Sequence, residues 1–217
     1  MIHHGFGVVE FEDLFTFNRA ELNGWIERRF AEQPQDYFLQ DDGSYLNRGG
    51  YRFEAEDIEA SPKRALHLTE KCDEQDLEIF QQIYNVVGEA VDNYMEAYPD
   101  VTKSVWWRTD PHLAAYGVSA GMGFHHDNLV GDGEASEASI QNVLTASLVL
   151  DDDCEGGELA FRYPDCVIPP KFGSVIVYSS GYLGTHAVFD VKAGRRVSYL
   201  EFFGHGTRTN AVSYQRP

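Results

Sequence analysis

From Pro99 onward the chain is cut into short apolar or alternating runs: SVWWRT, HLAAYGV, GFHHD, VLTASLVL, GELAFRY, SVIVYSS, HAVFDV and RRVSYLEFF. Gly, Pro, Asp and Ser separate them. Runs this short do not carry a helical stripe, and their two-residue alternation suits strands with a buried face. About eight of them in ~100 residues predict an antiparallel sandwich or barrel. Before Pro99 the pattern is helical. NRAELNGWIERRFAEQ predicts a helix opened by Asn18, with Glu21 in capping-box position and Leu22, Trp25, Ile26 and Phe30 on one face. A second helix is expected from near Asp73 to Pro99, with Leu77, Phe80, Tyr84, Val87, Val91 and Tyr94 as its stripe. FGVVEFEDLF predicts a first strand, and residues 35–64 predict loop with short strands. Helices first and strands later imply an α+β fold with the helices packed on one sheet.

Length and charge narrow the possibilities. The 217 residues suit one domain, 1–217, with a helical support region of about 1–100 and a β core of about 101–205. A net charge of −18 repels phosphate backbones and anionic lipid, so neither nucleic acid nor membrane is expected as a partner. Cys72, Cys154 and Cys166 show no C-x-x-C spacing, and no apolar run is long enough for a membrane span. The expectation is a cytoplasmic protein.

The chemistry concentrates in three places. On a strand, His125 and Asp127 project together while His126 projects the other way. His-x-Asp alone is a weak signal. His186, at the start of a late strand, supplies a second imidazole. Two imidazoles and one carboxylate on one face of an octahedron leave the opposite face open, which is the donor set of non-haem Fe(II) sites. In RRVSYLEFF, Arg196 and Ser198 share a face, and Arg195 takes the other. A guanidinium inside a barrel calls for an anion, and a dicarboxylate would supply one.

These pieces bring the chain to a family. AAYGVSAGMGFHHDN, TASLVLDDDCEGGELAF, VIPPKFGSVIVYSS and THAVFDVKAGRRVSYLEFF resemble, in order and spacing, the 2-oxoglutarate- and Fe(II)-dependent dioxygenases, specifically the prolyl 4-hydroxylase-like branch. The resemblance implies a double-stranded β-helix core of the jelly-roll or cupin type, with N-terminal supporting helices. It implies His125, Asp127 and His186 as iron ligands, Arg196 as the 2-oxoglutarate anchor with Ser198 beside it, and Tyr116 lining the cosubstrate pocket. The implied cofactors are Fe(II), 2-oxoglutarate and O2, with ascorbate in support. The implied reaction is hydroxylation of an unactivated C–H, giving succinate and CO2. An amino acid, free or as a prolyl or other residue of a peptide, is the first substrate reading. A tailoring oxygenase of a small metabolite is the alternative, and a metal-binding β-helix protein without turnover is a third. Related halogenases lack the carboxylate, so Asp127 favours hydroxylation. Met122 stands where the family often has an aromatic, and TASLVL lacks an aromatic pair that some relatives carry.

Other residues receive lesser roles. Residues 128–141 are expected to form a lid, since they follow Asp127 and are small and polar. Arg48, Arg52 and Arg108 are candidates for a substrate carboxylate. His126 is expected to pack or meet solvent, Arg195 to make a surface pair, and one of Trp106 and Trp107 to face inward. His67, His112 and His205 are assigned no chemistry.

Overall fold

The computed structural model describes residues 1–32, 37–39, 41–43, 45–47, 52–53, 63–67, 74–109, 111–128 and 142–205. The chain opens with β1 (Ile2–Gly5) and β2 (Val8–Phe11), then α1 (Arg19–Glu32). β3 (Tyr37–Leu39), β4 (Tyr45–Asn47) and β5 (Arg52–Phe53) form a small antiparallel sheet, and β6 (Lys63–His67) precedes α2 (Glu74–Ala97). Next come β7 (Trp107–Arg108), β8 (His112–Tyr116), β9 (Met122–His125) and β10 (Asn142–Asp151). β11 (Cys154–Gly156), β12 (Leu159–Phe161), β13 (Cys166–Ile168) and β14 (Val175–Ser179) follow. β15 (His186–Val188), β16 (Val191–Gly194) and β17 (Arg196–Gly204) complete the series.

Two sheets face each other. The larger runs β1-β2-β14-β10-β17-β8-β6, with β7 also on β17; the smaller runs β13-β12-β15-β9; β11 and β16 pair separately. Ala114, Tyr116, Ile176 and Tyr178 of the larger sheet meet Leu159, Phe161, Ile168 and Val188 between the sheets. This is the expected double-stranded β-helix.

The alternate residues of the larger sheet face the helices. Leu113 and Ala115, Leu144, Ala146 and Leu148, Val175 and Val177, and Val197, Tyr199 and Phe203 pack against Leu22, Trp25 and Ile26 of α1 and Ile83, Val87 and Val91 of α2. The period of two thus gives each strand one helix-facing and one interior row. α1 starts as predicted: Asn18 Oδ1 accepts from the amides of Ala20 (3.0 Å) and Glu21 (3.3 Å).

Two expectations shift. The predicted first strand is present as β2, but as the second arm of a hairpin with β1. Its Phe6 and Gly7 belong to the turn at Gly5, Phe6 and Gly7, which all have positive φ. Phe6 hid the turn, because a non-glycine residue at φ 49° is uncommon. On α2 the buried stripe is Ile79, Ile83, Val87, Ala90, Val91 and Tyr94, and Leu77 is exposed. Asp76 sets that rotation: it is fully buried and ion-paired to Arg28 and Arg29 of α1. A stripe drawn through apolar residues alone misses a buried carboxylate.

Arg108 is also reassigned. It is buried, ion-paired to Glu201 and lies 3.4 Å from the Tyr84 ring centroid. It therefore locks α2 to the larger sheet and does not await a substrate carboxylate. Trp107 is buried and Trp106 exposed, as alternation requires. Removing one member of a buried ion pair costs about 3–5 kcal/mol. Glu201→Leu is expected to lower unfolding stability by that amount in a urea titration. Lys171→Ala, which removes the exposed pair with Glu12, should cost less than about 1 kcal/mol.

Candidate functional site

β9 and β15 are antiparallel neighbours, and His125 and His186 are cross-strand partners. Their ring centroids lie 4.4 Å apart. Each ring is held from behind by a carbonyl. His125 Nδ1 lies 2.8 Å from Gly123 O, and His186 Nδ1 lies 2.9 Å from Gly184 O. A carbonyl only accepts, so each Nδ1 carries the proton and each Nε2 keeps a lone pair. Both Nε2 atoms face Asp127 Oδ1, at 3.5 and 4.0 Å. The ligand atoms of the three side chains lie within 4.8 Å of one another.

Asp127 is fixed from its other side. Thr145 Oγ1 donates to Asp127 Oδ2 at 2.6 Å, and Ser180 Oγ lies 2.9 Å from Thr145 Oγ1. Burial acts to raise the Asp127 pKa, but a positive charge on His186 or His125, present when either ring is also protonated at Nε2, and the Thr145 hydrogen bond hold it well below the usual carboxylate range. Burial lowers the His186 pKa, against an opposing pull from Asp127. The cluster therefore combines an ionised carboxylate with a buried imidazole that favours its neutral form. Side-chain exposure rises from 5% at His186 to 10% at Asp127 and 22% at His125, so the His125 side is the open one.

The predicted anchor lies in the same interior. Arg196 is 2% exposed and is the cross-strand partner of Tyr116. Its Nη1 donates to Gly157 O at 2.8 Å, and its Cζ lies 5.9 Å from the Tyr116 ring centroid. Glycine suits this position, because Gly157 has φ 73°, a conformation that other residues rarely adopt. Burial lowers the Arg196 pKa, partly offset by Tyr116 and Tyr178. Arg196 Nε and Ser198 Oγ are buried donors with no hydrogen-bond partner among the described residues. Two such donors on one inward face suit an oxyanion.

The remaining predicted residues fall elsewhere. His126 turns away and its Nδ1 lies 2.8 Å from Asn128 Oδ1. Arg195 pairs with Asp151 (2.8 Å) and with Glu27. Met122 is exposed on the edge strand. Arg48, the Arg52 side chain and all of the expected lid except Asn128 lie outside the described residues. Three contributors had no prior assignment: Thr145, Ser180 and Tyr178, whose Oη lies 3.2 Å from His186 Nε2. Alternation from Ser198 or Ile176 would have turned Thr145 and Tyr178 inward, but a strand hydroxyl carries no motif.

Fold and site define a class: a double-stranded β-helix whose interior gathers two imidazoles and a carboxylate. Residues 111–204 match the family model of the 2OG-Fe(II) oxygenase superfamily, so this stretch is an oxygenase domain of that family and supports a 2-oxoglutarate-dependent dioxygenase. The family implies Fe(II) and 2-oxoglutarate, with O2 as cosubstrate. No curated protein matches the sequence at a significant level. Among solved structures the fold is similar to a viral collagen prolyl hydroxylase from Paramecium Bursaria Chlorella virus-1, at 15% identity and TM-score 0.62, covering 94% of this chain and 98% of that one. It is also similar to a Trichoplax adhaerens prolyl hydroxylase in complex with a hypoxia inducible factor peptide fragment, at 15% identity and TM-score 0.64, covering 92% and 84%. A Pseudomonas putida prolyl-4-hydroxylase, at 15% identity and TM-score 0.58, covers 93% and 94%. No helix among the described residues is long and apolar enough to cross a membrane.

Gly184 supports His186 through its carbonyl and is itself buried. A Cβ at this position would overlap the Ser179 carbonyl oxygen. Overpacking against backbone costs about 1–3 kcal/mol. Gly184→Ala is expected to lower the Tm by several degrees in a calorimetric scan and to displace the His186 loop.

Proposed function

We propose that His125, Asp127 and His186 hold Fe(II) through Nε2, Oδ1 and Nε2, and that Arg196 with Ser198 binds the far carboxylate of 2-oxoglutarate beside Tyr116. One observation carries this reading. A sealed guanidinium with an unsatisfied Nε shares its interior with a cluster of two imidazoles and one carboxylate. The residues fit both groups. The donor set suits a borderline divalent ion with open positions, and no cysteine joins the cluster. A dicarboxylate would satisfy the donors at Arg196 and Ser198.

Bound there, Fe(II), 2-oxoglutarate and O2 supply the oxidation that converts a substrate C–H into C–OH while 2-oxoglutarate becomes succinate and CO2. The protein's share is placement. Thr145 keeps Oδ2 of Asp127 engaged, so Oδ1 is the oxygen presented between the imidazoles. Gly123 and Gly184 hold both rings in one tautomer. The aliphatic and aromatic interior around Phe161, Ile176 and Val188 limits water. The substrate C–H approaches from the His125 side, where exposure is greatest.

An amino acid is the substrate class we favour, free or as a prolyl or other residue in a peptide. The support is the shared fold with prolyl hydroxylases, of which one acts on collagen by its name and one is seen with a peptide. The chain would work as one oxygenase unit in a reducing compartment such as the cytoplasm, where Cys154 and Cys166 stay free thiols.

The first test is succinate release with Fe(II), 2-oxoglutarate and ascorbate, with mass spectrometry of amino acids and peptides for a one-oxygen gain. His125→Ala, Asp127→Ala and His186→Ala should each abolish succinate release and weaken Fe(II) binding by orders of magnitude while the fold persists by circular dichroism. An intact metal affinity in all three would overturn the ligand assignment.

Arg196 and Arg195 provide a second, internally controlled test. Arg196→Leu should leave Fe(II) bound and weaken 2-oxoglutarate binding roughly 10²–10³-fold, as expected when one member of a desolvated charge pair is removed. Arg195→Leu alters a half-exposed pair on the other face and should leave 2-oxoglutarate binding unchanged. The reverse result would place the anchor one residue away.

A further inference from the structure

The hydroxyl of Tyr178 has no place in the scheme above, yet it points into the metal cluster. Tyr178 is 1% exposed, and its ring packs edge-on against His186 at 4.8 Å and Phe161 at 5.0 Å. Its Oη is 3.2 Å from His186 Nε2, which is its hydrogen-bonding neighbour among the described residues. Phenylalanine would pack as well, so the hydroxyl needs its own reason.

Strand pairing explains how it arrives there. Tyr178 on β14 is the cross-strand partner of Thr145 on β10. Both face inward, and each delivers a hydroxyl to the cluster: Thr145 to Asp127 Oδ2, and Tyr178 to the side carrying His186 Nε2. Thr145 already serves Asp127 from one side. Tyr178 also shares the cluster between the sheets with Tyr116, the cross-strand partner of Arg196, so it lies in the same interior space as the buried guanidinium. That space is where a dicarboxylate reaching from Arg196 to the metal must lie.

An imidazole nitrogen has one lone pair. When Nε2 of His186 ligates a metal, it can no longer accept from Tyr178. A buried hydroxyl without an acceptor is unfavourable, so Oη turns to another oxygen in the same enclosed space. Building on the oxygenase site proposed above, we infer that Tyr178 is a cosubstrate-binding residue whose hydroxyl donates to the metal-chelating end of 2-oxoglutarate. Arg196 would then hold the far end and Tyr178 the reactive end, setting how the keto acid lies on the metal.

The test is Tyr178→Phe, which keeps the ring and removes the donor. Fe(II)-loaded protein is titrated with 2-oxoglutarate without oxygen, and the visible charge-transfer absorption of a keto acid chelated to Fe(II) is recorded. Fe(II) affinity is measured separately, and thermal unfolding checks the fold. The expected result is Fe(II) affinity within about twofold of wild type, 2-oxoglutarate affinity lower by about 10–100-fold as for a lost hydrogen bond to a charged group, and a displaced absorption band. Arg196→Leu, in contrast, should lose affinity without moving the band. Unchanged affinity and band position in Tyr178→Phe would overturn the inference. So would a loss confined to Fe(II) affinity, which would make Asp127 the acceptor. Absence of any such band in the wild-type protein would instead sink the underlying iron and 2-oxoglutarate site, and this inference with it.

Discussion

β17 is hydrogen-bonded on both edges, to β10 and to β8, and buried on both faces. Its two-residue period divides the labour of the molecule. Val197, Tyr199 and Phe203 meet the helices, while Arg196 and Ser198 enter the space between the sheets. A one-residue slip would exchange these rows, driving a guanidinium into the helix interface and valine into the site. Glu201 guards against that slip. It lies on the helix-facing row, fully buried, and is met there by Arg108. The structural register and the position of the candidate anchor are therefore one constraint.

Much of this was legible in the sequence because it depends on periodicity. His125 and Asp127 converge, His126 turns away, Arg196 is sealed and Arg195 pairs at the surface, all as alternation requires. The first helix was legible too, since Asn18 is a strong N-cap and Leu22, Trp25, Ile26 and Phe30 recur at helical spacing, although the buried Arg29 shares their face. Failures occurred where a polar residue does an apolar residue's job. Asp76 occupies the buried face of α2 and rotates the stripe away from Leu77. Arg108 reads as a candidate for a substrate carboxylate until Glu201, far away in sequence, is placed beside it. Phe6 reads as strand, although it sits in a left-handed turn.

The site has the same two layers of legibility. Charged and imidazole side chains announce themselves by type and spacing. The residues that orient them are hydroxyls and backbone carbonyls: Thr145, Ser180, Tyr178, and the carbonyls of Gly123 and Gly184. Their roles exist only once β9, β15, β10 and β14 are placed side by side. TASLVL seemed to lack an aromatic at the site; the neighbouring strand supplies one, since Tyr178 is paired to Thr145 across the sheet.

The N-terminal hairpin carries a consequence for synthesis. β2 closes onto β14, with Phe11 opposite Val175 and Val9 opposite Val177. At about 5–20 residues per second, a ribosome delivers the second partner on the order of ten seconds after the first. Until then β2 has β1 on one edge and bare amides and carbonyls on the other. So large a separation between paired residues also slows the search for the native topology. A strand made early is thus secured late, and its open edge stays exposed to mispairing while the elements between β2 and β14 are synthesised.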